Sequence, residues 1–216
     1  MNAVSSPRNH AAMMDAMYAT QRHIYDLTRK YYLFGRDRMI RELALPDGGT
    51  VLELGCGTGR NLAMVRKHWP KAQLFGLDIS AEMLKSARTT LGEQAALAQA
   101  DATEFDPERL FGVAQFDRVI LSYATSMIPV WREALAQGSA LVAPGGSLHV
   151  VDFGDMAGLP GPARSALRAW LARFHVSPRH TLPQSAIAGG AVYGLTGSAA
   201  TGMGGYYQLV TLRRDS

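Results

Sequence analysis

The chain has a single cysteine, Cys56, so no disulfide can form within it, and a reducing compartment is its expected home. The first thirty residues hold no uninterrupted apolar core of the kind a secretory signal needs, and no window reaches about 18 apolar residues. These absences predict a cytoplasmic protein, either free or held peripherally at the inner face of the cell membrane. Internal repeats and low-complexity linkers are missing too, while a hydrophobic content of 47% is ordinary for a globular protein. A length of 216 residues suits one domain and is short for two. Acid is absent from a long stretch. Between Asp155 and Asp215 there is no aspartate or glutamate, yet Arg164, Arg168, Arg173, Arg179, Arg213 and Arg214 fall there. The first 41 residues are basic as well, with seven Lys and Arg against three Asp. Two basic ends on a near-neutral centre point to an anionic partner surface, nucleic acid or anionic lipid.

What the sequence does contain is concentrated in residues 51–59, Val-Leu-Glu-Leu-Gly-Cys-Gly-Thr-Gly. A short apolar strand runs into Gly55, Gly57 and Gly59, and a helix follows over 60–68. Glycines at alternate positions let the backbone turn sharply and approach a ligand where a Cβ would collide. The next strand ends in Asp78, whose carboxylate is placed to accept both hydroxyls of a ribose. The dinucleotide fingerprint would read G-x-G-x-x-G. Here the pattern is E-x-G-x-G-x-G, with Glu53 inside the strand end. That form resembles the first motif of the class I S-adenosylmethionine-dependent methyltransferases. The resemblance implies S-adenosylmethionine as cofactor, S-adenosylhomocysteine as product, and no metal. It places Glu53, Gly55, Gly57, Gly59, Asn61, Asp78, Ile79, Asp101, Ala102 and Ser122 on the cofactor side, Ile79 against the adenine face and Asp101 and Ala102 at its amino group.

Along the chain, apolar residues recur at helical spacing from about 10 to 43, with Gly35 expected to break or bend the run. Pro46-Asp47-Gly48-Gly49 is a turn into the first strand. Strands are then predicted at 51–54, 73–77, 96–99, 116–122 and 147–153, alternating with helices at 60–68, 81–92, near 107–110, and at 130–141. Such alternation implies a parallel sheet with helices on both faces and a ligand crevice at the carboxyl ends of the strands. A sixth strand near 191–195 and a last, antiparallel one at 206–212 would complete a doubly wound, Rossmann-like sheet of seven strands. Residues 197–205 carry four glycines and read as a flexible connection between those two. The predicted organisation is a helical lid over 1–45 and a methyltransferase core over 46–216.

Methyl transfer from a sulfonium asks mainly for alignment, because the methyl is already activated. An amine acceptor must also lose a proton, to a carboxylate, a phenol or water. Tyr123 and Asp152, at the ends of the fourth and fifth strands, are the acceptor-side candidates. Their plainer readings are a half-buried aromatic at a sheet edge and a turn partner. His149, on the same strand as Asp152, reads first as a satisfied core histidine. Tyr18, Tyr25 and Tyr32 recur every seven residues and present phenols along one helix face, which is either core packing or, in a lid, a cage for a cationic amine. Tyr25 and Tyr32 are the lid candidates. Residues 161–174 form an amphipathic stretch, with Leu167, Trp170, Leu171 and Phe174 on one face and Arg164, Arg168 and Arg173 on the rest. Either this helix covers the sheet, or it lies on anionic lipid with Trp170 at the boundary.

The blocks Ile24-Tyr25-Asp26-Leu27-Thr28-Arg29, Gly35-Arg36-Asp37, Leu121 through Pro129, and His149 through Asp155 resemble bacterial phospholipid-type N-methyltransferases. Among these the likeness is to the betaine-lipid enzymes, and it extends from about Ala11 to Phe174. It implies three successive methylations of a diacylglyceryl-homoserine amine, a lipid substrate and an anionic membrane surface as partners. Tyr25, Tyr32 and Tyr123 would orient the amine, and Arg36 would pair with the homoserine carboxylate or, more plainly, with Asp37 or Asp26. Phosphatidylethanolamine N-methylation is the near alternative, and a non-catalytic lipid-binding protein the alternative from another class. RNA is disfavoured, because the arginines gather on an amphipathic helix and not along a groove of stacking aromatics.

Overall fold

A computed structural model describes residues 33–174 and 176–216. Tyr18, Tyr25 and Tyr32, and most of the expected lid, lie outside the described residues. The described chain opens with the short helix α1 (Arg36–Arg41), which starts just after Gly35 at φ +84°. A Cβ at Gly35 would come within 2.6 Å of the Tyr207 ring, so both backbone sign and packing require glycine there. Leu33, Met39, Ile40, Leu43 and Leu45 are buried in the main core, which makes 33–45 an integral part of the folded unit.

From there strands and helices alternate: β1 (Thr50–Leu54), α2 (Arg60–His68), β2 (Gln73–Asp78), α3 (Ala81–Leu91), β3 (Ala95–Gln99), α4 (Pro107–Phe111), β4 (Phe116–Ser122), α5 (Trp131–Ala140) and β5 (Val142–Phe153). Then come α6 (Gly161–Ala172), α7 (Leu182–Ala191), β6 (Leu195–Gly202) and β7 (Tyr207–Arg214). The sheet order is β3-β2-β1-β4-β5-β7-β6, with β7 antiparallel to both neighbours and the other strands parallel. This is the doubly wound, Rossmann-like sheet expected. Two apolar clusters cover its faces, one gathering α1, α2 and α6 residues and the other α5 and α7 residues. Central strands such as β1 and β4 are buried on both faces, which is why they read as continuous apolar runs. The sheet order reverses at β1 and β4, and this switch point opens the ligand crevice at their carboxyl ends.

The expected sixth strand at 191–195 is a correction. Those residues finish α7 and turn through Gly194 at φ +74°, and the strand begins only at Leu195. The glycine-rich stretch taken for a connection is largely β6 itself, paired residue for residue with β7 from Leu195↔Arg214 to Gly202↔Tyr207. Gly197 sits there because a Cβ would lie 1.9 Å from the Thr211 carbonyl oxygen. Only residues 203–206 form the hairpin turn.

Candidate active site

The cofactor end of the crevice is built by the loop from β1 to α2. Gly55 and Cys56 both donate their N–H groups to the Leu77 carbonyl, which ties the loop to the end of β2. Gly55, Gly57 and Gly59 have φ of +72°, +55° and +76°, values that L side chains rarely adopt. At Gly59 a Cβ would also meet Leu91 at 2.7 Å. Asp78 is buried, and each of its carboxylate oxygens receives a backbone N–H: Gly57 at 2.8 Å and Ser80 at 2.9 Å. Ser80 in turn caps α3, its hydroxyl accepting from Met83 N. The Asp78 carboxylate thus holds the glycine loop and the next helix start in one geometry.

Glu53 is 1% exposed and accepts a 2.6 Å hydrogen bond from Asn61 Nδ2. Together they line a cleft of about 270 Å³ with Leu33, Arg36, the glycine loop and Ser122. Asn61 Oδ1 and Ser122 Oγ are buried without a hydrogen-bond partner among the described residues. Buried polar atoms of this kind call for a ligand or water. Both atoms belong to cleft-lining residues. Ile79 packs with Met83, and its carbonyl accepts from Gln99 Nε2. Asp101 stands on the loop after β3, bonded to Thr103 N and Oγ1, and Ala102 is buried beside it. Glu53, Asn61 and Ser122 therefore line the cleft with the glycine loop, whereas Asp78, Ile79, Asp101 and Ala102 stand at the ends of β2 and β3 and are not part of its lining. The cleft also takes Thr58 and Arg60, and Ser86 and Thr90 of α3. The sequence reading had missed these four. The last two are small hydroxyl residues four apart on one helix face, a spacing that could have marked them.

Cys56 is buried, and its thiol is pushed well above the ordinary range by burial and then by Asp78 and Glu53. It stays a neutral, small residue in the turn.

The acceptor-side candidates are placed differently. Tyr123 is 1% exposed, at φ +55°, and its hydroxyl donates to the Phe34 carbonyl. Its ring meets Phe153 edge-on at 4.7 Å, and burial raises the phenol pKa well above normal. This phenol fastens the chain just before α1 to the end of β4. Asp152 is completely buried, accepting from Thr125 Oγ1, Ser126 N at 2.9 Å and Phe153 N at 2.8 Å. It straps the turn after β4 to β5. Arg36 is buried and lines the cleft.

The amphipathic stretch is α6, and Phe174, just beyond its end, reaches residues that follow β2 and β4. Leu171 is buried, and Leu167, Trp170 and Phe174 pack onto the main core. Phe174 also joins Met83, Ile79 and Met127. Of the two readings of this helix, Trp170 fits the one in which it packs on the protein: it is partly buried, with its ring 5.1 Å from Phe174. An apolar helix face covering apolar loop residues gains more from the protein than from an interface. Arg168 donates to the Asp155 carbonyl, and Arg168 and Arg173 face solvent.

His149 lies mid-strand in β5, 2% exposed, with Nε2 at 2.8 Å from Ser147 Oγ. Burial, with Arg118 and Arg213 adding, lowers its pKa to about 3. The folded state therefore holds this imidazole neutral while the unfolded chain protonates it below about pH 6.5. Stability is full above that value and falls as the pH drops toward 3, by about 1.4 kcal/mol per pH unit from this group. His149→Gln, which retains a partner for Ser147, is expected to flatten that acid limb in denaturant titrations at stepped pH. An unchanged slope would mean that water reaches the ring.

The sheet order, with its antiparallel β7, and the glycine cleft resemble those of solved methyltransferases. Residues 51–146 match the family model described as a methyltransferase domain. Trans-aconitate 2-methyltransferase of Azoarcus sp. (strain BH72) is 35% identical over 115 residues, covering 53% of this chain and 43% of that one. The ubiquinone/menaquinone biosynthesis C-methyltransferase UbiE of Syntrophotalea carbinolica is 29% identical over 179 residues, covering 78% and 70%. The chain thus spans less than half the length of the first of these relatives. Geranyl diphosphate C-methyltransferase from Streptomyces coelicolor A3(2), solved with Mg2+, geranyl diphosphate and S-adenosyl-L-homocysteine, shares the fold at a TM-score of 0.62, with 13% identity over 83% of this chain and 76% of that one. The cofactor of the cleft is S-adenosylmethionine, and the unpartnered Asn61 and Ser122 oxygens fit a ligand with an amino-acid tail. Among the described residues no group of His, Cys, Asp and Glu could hold a metal ion, and no helix is long and apolar enough to cross a membrane.

Proposed function

We propose that the chain methylates the amine of a lipid head group, with diacylglyceryl-homoserine as the acceptor, three times in succession. Bound S-adenosylmethionine supplies a methyl group activated on a sulfonium. Asp78, Glu53, Asn61 and the glycine loop hold the cofactor, and the rest of the cleft aligns the nucleophile, where most of the rate gain lies. The observation that carries the acceptor assignment is Arg36, a buried cation in the wall of the cleft beside Leu33 and the glycine loop. A homoserine head group carries a carboxylate for that guanidinium and an amine for the methyl, and charge-assisted pairing would fix one against the other. Tyr123 keeps the segment bearing Arg36 in place through Phe34.

A second reading has its own support. A polycarboxylic acid would pair one carboxylate with Arg36 and present another for methylation, in line with the relative named for trans-aconitate. The deciding experiment is transfer of labelled methyl by the purified full chain. Diacylglyceryl-homoserine, phosphatidylethanolamine and trans-aconitate are offered in parallel, the lipids in mixed vesicles. Label in the trimethylated betaine lipid is the expected result. Label in phosphatidylethanolamine would move the head group, and label in trans-aconitate alone would overturn the lipid assignment.

A further inference from the structure

The strongest unassigned feature is the outer face of α6 and what surrounds it. Between Met156 and Arg214 the chain has six arginines and no acid. The fold brings two of the most exposed, Arg168 and Arg173, to the same end of the sheet as the cleft. The inner face of α6 is fixed there by Leu171 in the core and by Phe174 against Ile79, Met83 and Met127, residues that follow β2 and β4. The hairpin between β6 and β7 reaches the same place. Gly158 donates its N–H to the Gly204 carbonyl at 2.8 Å and Met156 donates to Gly205 at 2.8 Å, close approaches that a Cβ on Gly158 would block. At the hairpin tip stands Met203, 57% exposed and at φ +50°. An unbranched apolar side chain held out at a backbone angle that disfavours it is an outlier that points toward use. On the other flank, Phe34 is 39% exposed and edges Tyr206, the last residue of that turn, at 5.3 Å. Phe34 directly follows Leu33, which lines the cleft.

Exposed arginines of α6 and just after it, an exposed Met and an exposed Phe thus lie at the same end of the sheet as the cleft. Asp155, which precedes α6, has its carboxylate engaged by Ala157 N. We infer that this face, made by Arg164 and Arg168 of α6 and Arg173 just after it, with Met203 and Phe34, docks on an anionic lipid bilayer, so that the cleft opens onto the membrane. The inference rests on the lipid-acceptor reading above for its purpose, and on charge and apolar exposure for its surface. Basic residues near an anionic leaflet each add to binding and lose it with salt, and the two exposed apolar side chains reach the headgroup boundary. Because α6 keeps its tryptophan inward, attraction here is mainly electrostatic, with Met203 and Phe34 as shallow anchors.

The test is flotation of the full chain with phosphatidylcholine vesicles, with and without phosphatidylglycerol, across a salt series. Binding to the phosphatidylglycerol vesicles alone, released by salt, is expected. Arg164→Glu with Arg173→Glu weakens it roughly 30-fold. Met203→Asn, which suits the positive φ, weakens it several-fold without unfolding the hairpin. Arg213→Glu makes the same kind of charge change on an exposed residue at the other end of β7, opposite Ser147, and leaves binding within about twofold. Equal binding to both vesicles, or equal loss from Arg213→Glu, overturns the docking face. Methyl transfer to a detergent-dispersed lipid acceptor is measured for the same variants and stays at the wild-type rate. If that transfer is absent in the wild type while the vesicle results hold, the acceptor assignment falls and the membrane face stands.

Discussion

Asp78→Ala is expected to weaken S-adenosylmethionine binding at least about 100-fold in calorimetric titration and to lower folding stability by about 2–4 kcal/mol. The carboxylate does two things at once. Its oxygens accept Gly57 N and Ser80 N, so it fixes the loop that approaches the cofactor and the first turn of α3. Each such bond to a charged acceptor contributes about 1.5–3 kcal/mol, and alanine leaves both donors without it. An Asp78 carboxylate that also accepts the ribose hydroxyls would lose those contacts to the ligand as well. Asp78→Asn retains one acceptor oxygen and is expected to fall between, at about tenfold. Binding by the alanine variant within about threefold of wild type would show that Asp78 only ties the loop and that the ribose is held elsewhere.

The cofactor half of the cleft was legible because its constraints are local. Three glycines at positive φ, an acid at the end of β1 and another at the end of β2 sit within 26 residues of chain, and each has a residue-type reason. The central strands were legible for a similar reason, since burial on both faces writes itself as an apolar run. The far edge of the sheet was not. β6 reads Leu-Thr-Gly-Ser-Ala-Ala-Thr-Gly, with six consecutive exposed residues and no alternation, and it is a strand because β7 supplies its hydrogen bonds. In α7, Gly189 and Gly190 hid a helix whose Gly190 lets Leu212 approach to 2.5 Å of where a Cβ would stand. On the acceptor side, sequence position put Tyr123 and Asp152 at strand ends facing the crevice, but not what their polar atoms bond. The Phe34 carbonyl and the Thr125–Ser126 turn claim them, and those are contacts between segments 89 and 27 residues apart.

Asp152→Ala is expected to destabilise the fold by about 3–5 kcal/mol, and Asp152→Asn by about 1–2 kcal/mol, with kcat of the asparagine variant within about threefold of wild type. Alanine strands Thr125 Oγ1, Ser126 N and Phe153 N in a fully buried site, whereas asparagine still offers one oxygen. If Asp152 took the acceptor's proton, the asparagine variant would instead remain folded and lose kcat by about 100-fold or more. The pH dependence separates the roles further. Burial raises the Asp152 pKa, with its hydrogen bonds opposing the shift. The folded state therefore binds more protons than the unfolded chain above the ordinary carboxyl pKa. The stability this group contributes is present below that value and is lost as pH rises through the raised one. That sign is opposite to the contribution of His149, so the two buried groups bend the stability profile against each other across the acidic range. Removing the carboxyl with asparagine should leave the histidine limb alone, a monotonic rise of stability from about pH 3 to 6.5 in denaturant titrations. A profile that keeps its original shape in Asp152→Asn would mean that the carboxyl never carries the proton in the fold.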